Sequence, residues 1–400
     1  MKKFLSLVLT LAMAVSLFAC GSKEVTRYFV NENGEKVIKI GVFEPQTGEN
    51  GGGGIQEVFG IRYANLMYNK VNIGGEEYKI ELLEVDNRSD KTEAVNAAQK
   101  LVSERVAAVC GSYGSGVSIA AGEIFKDAKL PAMGCSCTNP QVTNGNEYYF
   151  RTCFLDPFQG TVMASYAKKH GYDKVAVITQ LGDDYSEGLG NFFVKACETS
   201  GIEVVAKEKF QTNDQDFKAI LTNIKDKNPQ FVFAPSSITT APLILAQAKE
   251  LGITAQFGGG DTWENGTIIT NAHGAAEGIV VTTFYEANPA TATGEEAKFL
   301  KGDGVNTNGF SNYLVSIGQP KDIPAVSALG YDAYLALVKA IEAAQSVDGP
   351  AIKKAISSLS FTGVTGAISF NSDGDVNKSE AVVKEVKNGN FNYLEKVQVN

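Results

Sequence analysis

From Lys36 onward, β-branched apolar runs alternate with stretches whose apolar residues recur at helical spacing. Residues 37–43 read as a strand that ends in a Pro/Gly loop. In 55–72, Ile55, Phe59, Tyr63, Leu66 and Met67 fall on one helical face. Residues 78–85 alternate like a strand, and 90–103 carry Ala94, Ala97, Ala98 and Leu101 at helical spacing. Short strands at 106–110 and 131–135 bracket a helix at 118–128. A second series begins after Phe150-Arg151-Thr152. Helices at 159–170, 186–200, 216–227 and 240–251 alternate there with strands at 174–179, 203–210, 230–234, 256–258 and 278–284, before a long helix at 325–345. Strands joined by helices make βαβ units and parallel sheets, so the pattern predicts an α/β chain of two doubly wound parallel-sheet lobes. The tail reads as strand, turn and strand over 363–370, 371–375 and 380–387. Its Asp/Asn turn mimics a calcium loop, but Val376 stands where such a loop requires Gly. The glycine run 51–54 lacks dinucleotide spacing and reads as a flexible loop before a helix.

The N-terminus is of another kind. Lys2 and Lys3 precede the apolar run 4–19, shorter than the about 20 residues of a bilayer span and suited to a secretion signal. It ends Leu17-Phe18-Ala19-Cys20-Gly21-Ser22, which resembles a bacterial lipobox with Cys20 as the lipidated residue. A plain signal with an incidental Cys is the alternative. The expectation is a signal peptide over 1–19 and a lipidated Cys20 opening a polar tether over 20–36. The rest of the chain is then soluble and held at the extracytoplasmic face of a cell membrane.

Charge and composition narrow the chemistry. The 400 residues carry a net charge of −9, deepened by two when Lys2 and Lys3 are removed, so no basic excess serves nucleic acid. Arginine is confined to Arg27, Arg62, Arg88, Arg105 and Arg151. A phosphate or dicarboxylate site wants the guanidinium fork, and nothing after Arg151 offers one. Beyond Cys20 stand Cys110, Cys135, Cys137, Cys153 and Cys197, an odd set that leaves at least one thiol unpaired within the chain. They read as small buried side chains with at most one disulfide. With only His170 and His273, no zinc spacing forms, and no metal or other cofactor is expected. No G-x-S-x-G elbow and no P-loop occurs, which argues against an enzyme.

Three separated segments resemble the bacterial extracytoplasmic solute-binding proteins of ABC transporters, branched-chain amino acid (Leu/Ile/Val) type. The first runs from Leu82-Leu83-Glu84-Val85-Asp86-Asn87 to Val109-Cys110-Gly111-Ser112-Tyr113-Gly114-Ser115. The second is Leu130-Pro131-Ala132-Met133-Gly134-Cys135-Ser136-Cys137-Thr138-Asn139-Pro140, leading to Tyr149-Phe150-Arg151-Thr152 and Gln159-Gly160. The third joins Asp216-Phe217, Gln256-Phe257-Gly258-Gly259-Gly260-Asp261, Gly330-Tyr331-Asp332-Ala333 and Phe361-Thr362-Gly363-Val364-Thr365-Gly366.

The resemblance implies the type I periplasmic binding fold, a Venus flytrap of two lobes joined by three crossing strands. Lobe 1 is expected at 37–153 and 288–364, and lobe 2 at 154–287 and 365–400. It implies a monomer that closes on an amino acid and then docks on the permease subunits of an ABC importer. Ser115 aligns with the family's carboxylate-binding serine at a helix start, where free N–H groups also attract an anion. Ser136 and Cys137 would lend main-chain groups, and Thr138 a hydroxyl. Asp261 aligns with the second-lobe acid that meets the ammonium. Tyr185, Tyr113 and Trp263 are wall candidates. Helix capping for Asp261 and plain packing for the three aromatics remain open alternatives. Short amides, urea, aromatic acids or a sensor role are the competing functional readings.

Overall fold

The computed structural model describes residues 27–398, so the signal 1–19 and Cys20 lie outside the described residues. Seven strands build the first sheet: β1 (Tyr28–Val30), β2 (Lys36–Glu44), β3 (Lys70–Ile73), β4 (Glu76–Asp86), β5 (Ala108–Cys110), β6 (Ala132–Gly134) and β7 (Tyr149–Arg151). Their order is β3-β4-β2-β5-β6-β7, parallel from β4 to β7, with β3 and β1 added antiparallel. The second sheet holds β8 (Lys174–Leu181), β9 (Glu203–Gln211), β10 (Phe231–Phe233), β11 (Gln256–Gly259) and β12 (Val280–Thr283). A small hairpin of β13 (Ser360–Gly363) and β14 (Gly366–Ser369) stands apart. The last strands, β15 (Glu380–Lys387) and β16 (Asn390–Gln398), complete the second sheet in the order β16-β15-β12-β11-β10-β8-β9.

Helices cover both faces of each sheet, which is why β5 and β10 are buried at every position and read as unbroken apolar runs. On the first sheet, helices Gly51–Met67 and Ala325–Ala344 bury one face with Ile61, Tyr63, Tyr331 and Tyr334. Helices Lys91–Ser103 and Ser115–Asp127 bury the other with Leu101 and Phe125. The second sheet is flanked by Asp156–Lys169 and Asp184–Thr199 on one side and by Lys218–Lys227 and Ala241–Glu250 on the other. Among the described residues no helix is long and apolar enough to cross a membrane.

The structure departs from the sequence reading in three places. The segment read as tether joins the fold by Arg27, whose guanidinium donates to the Val106 carbonyl at 2.9 Å and the Ala128 carbonyl at 3.1 Å. β1 then pairs with β2 through its backbone while its Tyr28, Phe29 and Val30 side chains stay exposed. The lobe boundary expected at 364/365 falls in the turn of the β13–β14 hairpin. Asp332 accepts from the Val364 N–H (2.7 Å) and Thr365 N–H (2.8 Å), and Val364 is buried in the first lobe's core. The hairpin therefore packs with the first lobe. Finally, 51–54 is no loop but the opening turn of helix Gly51–Met67.

The Asp/Asn turn at 371–375 is a true turn. Asn371 Oδ1 accepts from the Asp373 and Asp375 N–H groups at 2.9 and 3.0 Å. Asp375 is held by Arg151.

Candidate functional site

Strand order positions the site. In the first sheet β2 sits between β4 and β5, and in the second β8 sits between β9 and β10. Where the order reverses, successive loops leave on opposite faces and open a crevice at the carboxyl ends of the strands. Loops from these two crevices meet and close on each other. Asn50 Oδ1 accepts the Ile238 N–H at 3.1 Å, and Gln180 Nε2 donates to Glu49 at 2.9 Å. Asn139 Nδ2 donates to the Asp184 carbonyl at 2.6 Å, and Lys91 pairs with Asp184 at 2.7 Å. Tyr113 and Val326 reach across into the second lobe's apolar cluster beside Ile238 and Trp263. Between the lobes remains a cavity of about 50 Å³ touching Tyr113, Ser115, Ser136, Asp183, Tyr185 and Thr262. Larger hollows of about 810 and 580 Å³, at the outer end of the second sheet and beside the crossings, contain none of these residues.

The first-lobe wall is built from the ends of β5 and β6. Ser115 opens helix Ser115–Asp127, so its own N–H and its neighbours' point into the cleft unspent by the helix. Its Oγ accepts from the Asn139 N–H at 3.2 Å, which ties the two loops together and leaves the hydroxyl proton free to donate. Ser136 donates to the Glu57 carboxylate. Thr138 is fully buried beside Asp156, and its hydroxyl has no hydrogen-bond partner among the described residues. Burial pushes the Asp156 carboxyl up to about 8.

The second-lobe wall comes from β11. Gly259 and Gly260 bring the chain so close that a Cβ on the latter would fall 2.8 Å from Gln159 Oε1. Asp261 follows, buried, accepting from Gln159 Nε2 at 2.7 Å and from the Tyr185 hydroxyl at 2.9 Å. Burial raises its carboxyl to about 6, with these two donors opposing the rise.

One expected wall residue, Trp263, is turned away, and Cys137, expected to lend main-chain groups, has its carbonyl engaged elsewhere. The Cys137 side chain lies in the first lobe's core with Phe125 and Tyr149, and its carbonyl is taken by Arg151 at 2.7 Å. Trp263 is fully buried in the second lobe, donating from Nε1 to Ser236 Oγ at 3.3 Å, because an indole needs a partner for its N–H. All five cysteines described are free and buried, and burial pushes the thiols of Cys135, Cys137, Cys153 and Cys197 up, so these stay protonated.

Sequence reading missed four contributors. Gln159 orients Asp261. Asn50 latches the lobes. Arg151, fully buried, donates to the Cys137 and Asn139 carbonyls (2.7 and 2.6 Å), to Thr143 Oγ1 (3.0 Å) and to Asp375 (2.6 Å). Glu57 supports Ser136 from helix Gly51–Met67. The one available signal was Arg151 itself, a lone Arg inside an apolar strand.

The opening turn of that helix shapes the wall. A Cβ at Gly53 would land on the Tyr113 ring, 2.7 Å from its hydroxyl oxygen, whereas one at Gly52 would meet only Asn265 at 3.5 Å. Gly53→Ala is therefore expected to cost about 1–3 kcal/mol of stability through overpacking. Gly52→Ala should be nearly neutral, and comparing the two melting temperatures checks the contrast.

Two doubly wound lobes, joined by three crossings and closed over a central cleft, define a type I periplasmic binding protein. Residues 37–390 match the periplasmic binding protein family, and the chain belongs to that family of extracytoplasmic solute-binding proteins. A leucine-, isoleucine-, valine-, threonine- and alanine-binding protein of Pseudomonas aeruginosa is 28% identical over 351 residues, 87% of this chain and 89% of its own. The crystal structure of a leucine binding protein, LivK, from Thermotoga maritima is 34% identical and superposes with a TM-score of 0.82, covering 90% of this chain and 99% of its own. That of LivJ, a branched-chain amino acid transporter substrate binding protein from Streptococcus pneumoniae in complex with isoleucine, is 27% identical with a TM-score of 0.78, covering 91% and 100%.

Proposed function

We propose that the chain captures an amino acid, branched-chain or otherwise apolar, between its lobes and delivers it to the permease of an ABC importer. The observation that carries this is the polarity of the cleft. One wall offers the Ser115 hydroxyl and a helix N-terminus, which suit a carboxylate. The other offers the buried Asp261 carboxyl, which suits an ammonium. The lobes close only as far as contacts to both walls favour closure, so a ligand carrying both charges drives it. The relatives named above, which bind leucine, isoleucine and related amino acids by name, support the same reading. The protein acts as a lipid-anchored monomer, held by Cys20, and performs no catalysis. The Ser115 hydroxyl is engaged by a backbone N–H, and no histidine joins it among the described residues.

A thermal-shift screen of amino acids and short amides tests this. A ligand at 100 times its Kd should stabilise the protein by about 2.7 kcal/mol. The expected hits are leucine, isoleucine and valine; stabilisation by acetamide or urea alone would contradict the proposal. The Asp261 carboxyl also sets a pH dependence. Free Asp261 holds a proton below about 6, and the ligand's ammonium requires the carboxylate, so binding expels that proton. Affinity should therefore rise with pH from 5 toward 7 and fall about tenfold per unit below the transition. Calorimetry across that range checks the slope.

A further inference from the structure

Behind the first-lobe wall lie two carboxyl groups that the proposed ligand contacts do not use. Glu44 ends β2 and Glu57 sits on helix Gly51–Met67; both are fully buried. Glu44 Oε2 accepts from the Tyr113 N–H at 2.7 Å. Glu57 Oε1 accepts from the Ser136 hydroxyl. Each carboxyl thus grips one of the two loops that form the wall. The other two oxygens, Glu44 Oε1 and Glu57 Oε2, meet no protein donor among the described residues. The two carboxyls instead lie side by side, with oxygens within 4.8 Å of each other. Gly111 makes room for this, since a Cβ there would fall 2.6 Å from Glu44 Oε1.

Among the described residues the surroundings supply no cation. Facing the pair are Cys110 at the end of β5, Cys135 and Cys137 on the loop after β6, the Tyr113 ring, and Asp261 across the cleft. None of these is a cation. Two adjacent buried carboxylates without a counter-charge repel and cannot both ionise cheaply, whereas one proton between them satisfies both orphan oxygens.

We propose that Glu44 and Glu57 share a proton at neutral pH, and that this proton holds the 111–115 and 135–138 loops in their ligand-receiving positions. The pair consists of positioning residues rather than ligand contacts. Burial keeps both carboxyls well above the usual range, and Glu57 is raised further by the nearby Glu44 and Asp261 acids. Once alkaline pH strips the proton, the two carboxylates push apart, and Tyr113 and Ser136 move with them.

The loop-positioning half rests on the amino-acid reading above; the shared proton does not. Infrared spectra of the ligand-free protein at pH 7 test the proton. Wild type should show a protonated-carboxyl C=O band that Glu57→Gln and Glu44→Gln both diminish. No difference in that region would overturn the proposal. Calorimetric titration with L-leucine from pH 7 to 9 tests positioning. Wild type should lose affinity by about tenfold, while Glu57→Gln, which still accepts from Ser136 but cannot ionise, should stay flat. Profiles that fall alike in both proteins would overturn the positioning role. If leucine gives no heat at any pH in either protein while the infrared band is present, the amino-acid reading fails and the shared proton stands. A rise in melting temperature with zinc chloride that both Gln variants abolish would overturn the shared proton in favour of a metal held by Glu44, Glu57 and Cys135, whose ligand atoms lie within 4.8 Å of one another.

Discussion

Arg151→Ala is expected to destabilise the protein by about 3–5 kcal/mol, the usual cost of removing one partner from a buried ion pair. Asp375, buried with it, would be left as an uncompensated charge. The damage reaches further, since the same guanidinium satisfies the Cys137 and Asn139 carbonyls and the Thr143 hydroxyl. Those partners belong to the first-lobe segment that carries Ser136 and Thr138, while Asp375 lies between β14 and β15, where the chain passes to the second sheet. One side chain therefore ties the ligand wall to that inter-lobe segment. Arg151→Lys keeps the charge but lacks the fork that reaches all four partners, so it should recover only part of the loss. Urea midpoints for the three proteins measure this. Equal midpoints for wild type and Arg151→Ala would remove Arg151 from the account.

Asp261→Ala is expected to weaken amino-acid binding by about 2–5 kcal/mol, roughly thirty- to several-thousand-fold, because the ligand's ammonium loses its buried counter-charge. The free protein should respond oppositely. Its Asp261 carboxyl is held above its ordinary range by burial, so folding pays for the charge in the absence of ligand. Asp261→Asn keeps an acceptor for Tyr185 and Gln159 and should leave the ligand-free melting temperature unchanged or higher, while binding collapses. Loss of affinity accompanied by equal loss of stability would indicate a structural role instead.

The parallel strands were legible because burial on both faces turns a strand into an unbroken apolar run, as in β5 and β10. The edges were not. β1 is exposed throughout, so its three apolar residues within a polar stretch read as tether, and β16, with no buried position, mixes polar and apolar residues without a clear strand pattern. The helical start at 51–54 ran against propensity, since each glycine costs about 1 kcal/mol in a helix. It forms because Pro45 and Tyr113 need the space that side chains would fill.

In the site, Ser115, Ser136, Tyr185 and Asp261 were legible through the family resemblance and not through spacing or polarity alone. Trp263 lies in the same loop as Asp261, yet its ring turns inward to the second lobe's core, which no spacing rule reveals. Arg151 and Asp375 are 224 residues apart, and only the tertiary fold brings them together. Glu57 follows Gln56 on its helix and looks from sequence like an ordinary surface acid. Its burial against Glu44 depends on a crossing of helix and strand.

The central claim is that a zwitterion is held between the Ser115 wall and Asp261. Calorimetric titration of the protein at pH 7 with leucine, isoleucine, valine, acetamide and benzoate tests it most directly. The account predicts one ligand per protein for at least one of the three amino acids, abolished in Asp261→Asn, with no heat from acetamide or benzoate. Binding of benzoate or acetamide without any amino acid, or amino-acid binding indifferent to Asp261→Asn, would contradict it.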